Sequence, residues 1–249
     1  MRVTRIHFDR PLSAGAIVSL SESAAAHVGR VLRLGPGDEL TLFDGRGGEY
    51  PAKIVDARGI VVRVQVDECR TVERESPLHL ALVQGISRGE RMDWVVQKAT
   101  ELGVAEIIPV LTERSVVKLN ASQAERKREH WLGIAIAACE QCGRNRLPNI
   151  HAPAVLGDWL GAQPADGLRI LLDASGSDAP TTLRQAGHVT LLIGPEGGLA
   201  NGERAAAGAA GFQSMRLGPR ILRTETAAIA ALTALQLIAG DLAASGGQG

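Results

Sequence analysis

The sequence predicts an α/β protein: a small β-rich N-terminal domain followed by a larger C-terminal domain built on a parallel sheet with helices on both faces. Three observations lead there. Up to the charged stretch over residues 68–75, short alternating or β-branched runs are separated by turn-formers such as Gly45-Arg46-Gly47-Gly48, the pattern of half-buried strands. After Pro77 the style changes to almost unbroken apolar strands alternating with helices, as in sheets buried on both faces. The charged stretch places the boundary near Arg74, giving domains over residues 1–74 and 75–244, with residues 245–249 as a disordered tail.

Along the chain, residues 3–8, 17–20, 39–43, 49–55 and 60–66 read as strands. One helix interrupts them over residues 24–34, with Ser23 as its N-cap and Gly35-Pro36 as its stop. Short strands in this number form a small barrel or sandwich. In the second domain, residues 78–83, 106–111, 168–172 and 189–193 are the buried strands. Helices are expected over residues 91–102, stopped by Gly103, over 122–142, and over 226–242.

With 45% apolar and 22% charged residues among 249, the composition is that of a folded globular chain. Residues 1–8 have no apolar run behind their arginines, so neither a signal peptide nor an anchor is expected. The longest apolar stretch, 227–239, is broken by Thr233 and Gln236 and falls short of the roughly 20 residues that cross a bilayer. A cytoplasmic protein without a membrane role follows as the expectation. Zero net charge argues against a non-specific nucleic-acid binder, so any RNA contact must be local. Cys139 and Cys142 form a C-x-x-C, but no second pair completes a zinc site, and Cys69 makes the count odd. Ordinary thiols and no metal are expected.

Two segments stand out as chemical candidates. Gly194-Pro195-Glu196-Gly197-Gly198 follows a buried strand and precedes a helix, where open α/β sheets bind ligands. Its carboxylate disfavours an anionic phosphate and suits a neutral or cationic ligand. A plain glycine turn with Glu196 facing solvent is the competing reading. The second segment runs from Leu217-Gly218-Pro219-Arg220 through Ile221-Leu222-Arg223 into Thr224-Glu225-Thr226 and the last helix, with Thr224 or Thr226 available as N-cap. Here the competing reading is a solvated loop with the acidic first turn that a helix dipole favours.

The two segments together closely resemble the RsmE family of the SPOUT superfamily, bacterial methyltransferases acting on N3 of a uridine in small-subunit ribosomal RNA. The resemblance extends to Arg91-Met92-Asp93-Trp94, to residues 97–104, and to Ala138-Cys139-Glu140-Gln141-Cys142 with Arg144, and it spans most of the chain.

The resemblance implies a PUA-like N-terminal barrel, a trefoil knot in the C-terminal domain, a homodimer, and S-adenosylmethionine as cofactor. It assigns cofactor binding to Leu171, Leu172, Gly194, Pro195, Glu196, Gly197, Gly198, Leu217, Gly218, Ile221, Leu222 and Thr226. For the chemistry, Arg223, with Arg220, is expected to stabilise charge on the uracil carbonyls, and Glu225 or Glu196 to take the N3 proton, Glu225 alternatively only holding Arg223 in place. Because N3 lies on the pairing edge, the base must be unpaired or flipped. Arg2, Arg5, Arg10, Arg30 and Arg33, with His7 and with Arg88, Arg91, Arg144 and Arg220, are the expected RNA contacts, and Glu140, Gln141 and Arg144 complete the pocket across the dimer. The alternatives are a SPOUT enzyme modifying a ribose 2′-hydroxyl or another base, and a non-catalytic RNA-binding assembly factor.

Overall fold

The computed structural model describes residues 3–58, 61–162 and 167–242; Arg2 and the tail over 245–249 lie outside them. It divides into two compact units, one of Met1–Glu75 with Ile136–Leu147, the other of Ser76–Ala135 with Pro148–Gly249. Nothing in the sequence pattern placed Ile136–Leu147 with the first unit.

In the first unit β1 (Arg5–His7), β2 (Ile17–Ser19), β3 (Glu39–Phe43), β4 (Tyr50–Arg58) and β5 (Val61–Val66) form one sheet in the order β1-β3-β4-β5-β2, parallel at β1/β3 and antiparallel elsewhere. Strand β5 alternates exposed and buried along its length, as a period-two side-chain pattern requires. Val62, Val64 and Val66 therefore join Ile6, Val28, Leu40 and Leu42 in one core. The helix here starts earlier than the sequence suggested. α1 (Glu22–Ala26) is capped by Ser21, not Ser23, with the Ala24 N–H donating to Ser21 Oγ at 3.3 Å. Ser21 sits one residue outside the helix, where its oxygen reaches the third helical N–H, whereas Ser23 is already inside the first turn. A wide π-type turn, His27–Val31, continues α1. The chain then leaves the helical direction at Arg33, which adopts φ +56°, before Gly35 is reached.

The second unit holds β6 (His79–Gly85), α2 (Arg91–Glu101), β7 (Glu106–Leu111), the start of α3 (Ala121–Cys142), β8 (Asn149–Ile150), β9 (Ala154–Val155), α4 (Leu156–Ala162), β10 (Leu168–Ser177), β11 (His188–Ile193), α5 (Asn201–Ala209), β12 (Gln213–Met215) and α6 (Thr224–Ala239). Its sheet runs β12-β10-β11-β6-β7-β8, with β9 also on β7, and every pairing is parallel. Alternate residues of β6 serve two cores. Leu80 and Leu82 pack with Met92, Val95 and Val96 of α2, Trp131 of α3 and Leu232 of α6, while Ala81 and Val83 face Leu156 of α4 and Ala207 of α5. This two-sided burial makes the strands read as continuous apolar runs. Strands β8, β9 and β12 escaped the sequence reading because two or three residues carry no periodicity.

The polar break in the last helix has a structural use. Gln236 is fully buried, accepts from Ser76 Oγ at 2.7 Å and donates to the Leu102 carbonyl at 2.7 Å, so both halves of its amide are satisfied. It thereby ties the end of α6 to the end of α2, where Gly103 turns the chain at φ +77° with no room for a Cβ beside the Gln236 amide.

After β9 the chain crosses the sheet to β10, inserts β11 between β10 and β6, and passes back outside β10 to form β12. Leu172 is in register with both Ile193 and Met215. The ends of β11 and β12 therefore flank the middle of β10, and the segments that follow Leu172, Ile193 and Met215 share one space.

Candidate functional site

That space is a cavity of about 580 Å³. The middle of β10 contributes Leu171 to Ala174, the turn after β11 contributes Ile193 to Leu199, and the segment from β12 into α6 contributes Leu217, Gly218, Arg220 to Glu225, and Ala227. All three segments lie at the carboxyl edge of the sheet beside the point where the strand order departs from chain order, the place where open α/β sheets bind ligands.

The turn after β11 is shaped by its glycines. Gly198 adopts φ +66°, which lets its N–H donate to the Pro195 carbonyl at 2.8 Å and closes the turn. Gly194 faces that closure: a Cβ there would stand 3.0 Å from the carbonyl carbon of Gly198. From the other side, Pro195 lies flat on Gly85 at the end of β6, where an added Cβ would come within 2.5 Å of both Pro195 N and Cδ.

Charges are arranged in two groups. Arg91 Nη1 donates to Glu196 Oε1 at 2.8 Å, and the backbone N–H of Arg88 reaches the same oxygen at 3.0 Å. Partial burial raises the Glu196 pKa, but these bonds, its own backbone N–H and the Arg91 charge outweigh burial and hold it below the usual carboxylate value. Arg91 Nε also stands 3.9 Å from Glu225 Oε1, whereas Glu225 Oε2 is buried with no partner among the described residues. Across the cavity Asp173 Oδ2 meets Arg204 Nε at 3.2 Å. Burial again pushes the Asp173 carboxyl up, and bonds from the Ser175 N–H and hydroxyl together with Arg204 bring it down.

The structure gathers most of the cofactor residues expected from sequence: Leu171, Leu172, Gly194 to Gly198, Leu217, Gly218, Ile221 and Leu222 all line the cavity. Thr226 is a correction, being exposed on α6 and absent from the lining. Neither threonine caps that helix. Its N-cap is Arg223 in an extended conformation without a side-chain bond, and Thr224 is the first helical residue. Arg223, Glu225, Arg220 and Arg91 line the cavity too. The idea that Glu225 holds Arg223 is corrected, because its ion-pair neighbour is Arg91.

Two expected RNA contacts are structural instead. The Arg5 side chain is only 8% exposed, pairs with Glu49 at 2.6 Å and donates to the Arg144 carbonyl and to Asn145 Oδ1. Arg144 is 4% exposed and forks onto Glu75, Nη2 to Oε2 at 2.5 Å. Glu140, expected at the substrate pocket, accepts from the His7 N–H inside the first unit, and burial raises its pKa. Long-range pairing of this kind leaves no local pattern to read. Arg10, Arg30, Arg33, Arg88, Arg91 and Arg220 are exposed.

Sequence reading missed Asp173, Arg204 and Thr224 as cavity residues. Asp173 had a usable signal, a carboxylate directly after an apolar strand; Arg204 had none. Among the described residues no group of three or more His, Cys, Asp or Glu is placed to hold a metal ion. Cys139 is buried, its thiol pKa pushed up by the Cys142 contact and by burial. No helix among the described residues is long and apolar enough to cross a membrane.

Comparison with known proteins bears on the same regions. Residues 74–236 match the model of an RNA methyltransferase domain, and residues 20–65 that of an RNA methyltransferase PUA domain. The ribosomal RNA small subunit methyltransferase E of Buchnera aphidicola (subspecies Schizaphis graminum) is 35% identical over 97% of this chain and 98% of its own. A methyltransferase from Legionella pneumophila, solved with bound cofactor SAM, superposes with a TM-score of 0.90 at 41% identity, over 97% of this chain and 100% of that one. The ribosomal RNA small subunit methyltransferase E of Neisseria gonorrhoeae, bound to S-adenosyl methionine, gives 0.90 at 35% with the same coverage. A β-rich unit with PUA-type sequence, a parallel-sheet unit in which β10 and the segments after β11 and β12 line one cavity, and relatives matching from end to end place this chain in the ribosomal RNA small subunit methyltransferase E family.

Proposed function

We propose that the protein transfers a methyl group from S-adenosylmethionine to N3 of a specific uridine in the 16S rRNA of the small ribosomal subunit. The observation that carries this reading is the cavity where the 194–198 turn and the 217–223 segment meet. Its residues fit the donor. Leu171, Leu172, Leu217, Ile221 and Leu222 offer apolar walls for a purine in a chain that is only 3% aromatic. The glycines allow close approach of backbone groups. The carboxylates of Asp173, Glu196 and Glu225 suit a ligand with positive charge. When bound, the donor supplies an electrophilic methyl group on a positively charged sulfur.

The protein's own contribution is alignment and charge stabilisation. Arg223 and Arg220 oppose the negative charge that develops on the uracil carbonyls as N3 loses its proton. Of the two carboxylates, Glu225 is the better placed proton acceptor, since its Oε2 has no partner among the described residues and Glu196 is committed to Arg91 and the Arg88 N–H. The target base is unpaired or flipped before reaction. Exposed Arg10, Arg30 and Arg33 of the first unit and Arg88 of the second contact phosphates. In this reading residues 1–74 dock RNA, residues 75–244 carry the chemistry, and the protein works in the cytoplasm as a homodimer. The passage of β12 back outside β10, followed by the return of the chain to α6, is consistent with a trefoil knot at the cavity.

The test is labelled methyl transfer to assembled small subunits and to naked 16S rRNA, followed by nucleoside mass spectrometry. Label on N3 of one uridine is the expected result. Label on a ribose hydroxyl would replace the assignment with the 2′-O alternative, and donor binding without transfer to either substrate would refute an enzymatic role.

A further inference from the structure

Behind the cavity lies a hydrogen-bonded chain that the chemistry described so far does not use. Gln84, the penultimate residue of β6, is fully buried, and its Nε2 donates to the Gly85 carbonyl at 3.0 Å and to Thr224 Oγ1 at 3.0 Å. The Thr224 hydroxyl donates in turn to the Gly194 carbonyl at 2.7 Å. Gln84 Oε1 has no partner among the described residues. An unsatisfied buried amide oxygen is uncommon and calls for a reason.

The directions in this chain are forced. The Gly85 carbonyl only accepts, so the nitrogen side of the Gln84 amide must face it, and the same nitrogen then faces Thr224. With one lone pair filled by Gln84, the Thr224 hydroxyl directs its proton to Gly194. The orphaned Oε1 is the cost of that orientation. Gly194 opens the turn that lines the cavity from β11, while Thr224 opens α6 between Arg223 and Glu225, both in the cavity wall. One hydroxyl therefore joins the two segments that enclose the cavity, and one glutamine amide keeps it aimed.

We propose that Gln84 and Thr224 are positioning residues for the donor site: a clasp, aimed by Gln84, that fixes the Gly194 turn against the start of α6. The proposal rests on the cofactor reading above. Gln84 lies outside the cavity lining and Thr224 within it; the clasp acts through the carbonyl of Gly194 and the placement of Arg223 and Glu225.

The experiment uses the full chain and four variants, Thr224→Val, Thr224→Ser, Gln84→Leu and the Val/Leu double. Calorimetric affinity for S-adenosylmethionine and for S-adenosylhomocysteine is measured beside RNA affinity, kcat and melting temperature. Thr224→Val keeps the shape and removes the hydroxyl, stranding the Gly194 carbonyl and the Gln84 N–H. Donor affinity is expected to fall about tenfold, since leaving a buried group unsatisfied has effects of this order, with RNA affinity unchanged and Thr224→Ser restoring binding. Gln84→Leu should weaken the donor too, and the double variant should lose much less than the two single losses combined, because both cut one chain. Full donor affinity in Thr224→Val, additive losses, or losses that follow melting temperature alone without rescue by serine would each overturn the proposal. Absence of donor binding to the unmodified protein would instead refute the cofactor reading.

Discussion

Gly85→Ala tests the geometry of the cavity most directly, because one methyl group is added outside it. The new Cβ would lie 2.5 Å from Pro195 N and Cδ and 2.9 Å from the carbonyl carbon of Gly194, whereas ordinary contact begins at 3.4 Å. Strand β6 is a central strand between β11 and β7, with Gln84 in register with Ile193 and Gly85 with Val110, so the strand cannot retreat and the turn must. Relief requires Gly194-Pro195 to move by about 0.9 Å, on the scale of an atomic radius change that dispersion contacts do not tolerate. Overpacking of this size costs about 1–3 kcal/mol, or roughly 2–4 °C of melting temperature per kcal/mol for a chain of this length. The functional effect should be larger than the thermal one, since a shift near 1 Å at a site that aligns reactants can lower rate by about a hundredfold. Donor affinity by calorimetry, kcat by labelled methyl transfer and melting by circular dichroism are the readouts. The control is Gly133→Ala in the middle of α3, where a Cβ meets nothing within 4 Å and a gain of about 0.5–1 kcal/mol from helix propensity is expected. If Gly85→Ala bound donor and turned over like the unmodified protein, the rigid fit between β6 and the cavity turn would be wrong.

Two further outcomes follow from the ion pairs. Arg144→Ala should lower melting temperature by several degrees, because it strands Glu75 in a part-buried position at a cost on the order of 1–3 kcal/mol, whereas Arg10→Ala, at a position where the side chain is 70% exposed and ion-paired with exposed Asp9, should change melting little and reduce RNA affinity and its salt dependence; equal melting of the two variants would contradict the division between structural and surface arginines. Glu196 is held below its reference value of 4.5, so its bonds to Arg91 and the Arg88 N–H contribute stability in full above that pH and lose it as pH falls through the lower folded value. Unfolding measured from pH 6 to about 2 should therefore show a shallower acid limb in Glu196→Gln, and an unchanged slope would show that the Glu196 bonds are not formed in solution.

Much of the site was legible in the sequence because its chemistry is local. The turn from Gly194 to Gly198 and the Leu217 to Glu225 segment each carry their residue types contiguously, and both were found in the cavity wall. Arg5 and Arg144 show the opposite case. Either arginine is indistinguishable in sequence from a surface phosphate contact, and only pairing with Glu49 and Glu75, 44 and 69 positions away, makes it structural. Glu225 looked like a partner for Arg223 two residues earlier, yet the fold brings Arg91 to it instead.

By itself the sequence determined the alternation of elements, the buried parallel strands and the two glycine-bearing segments, since hydrophobic period and turn chemistry are properties of neighbouring residues. The tertiary structure alone decided strand order, the position of β12 outside β10, and the meeting of Gln84, Thr224 and Gly194. Those depend on which surfaces bury one another across more than a hundred residues, and no local pattern encodes that choice.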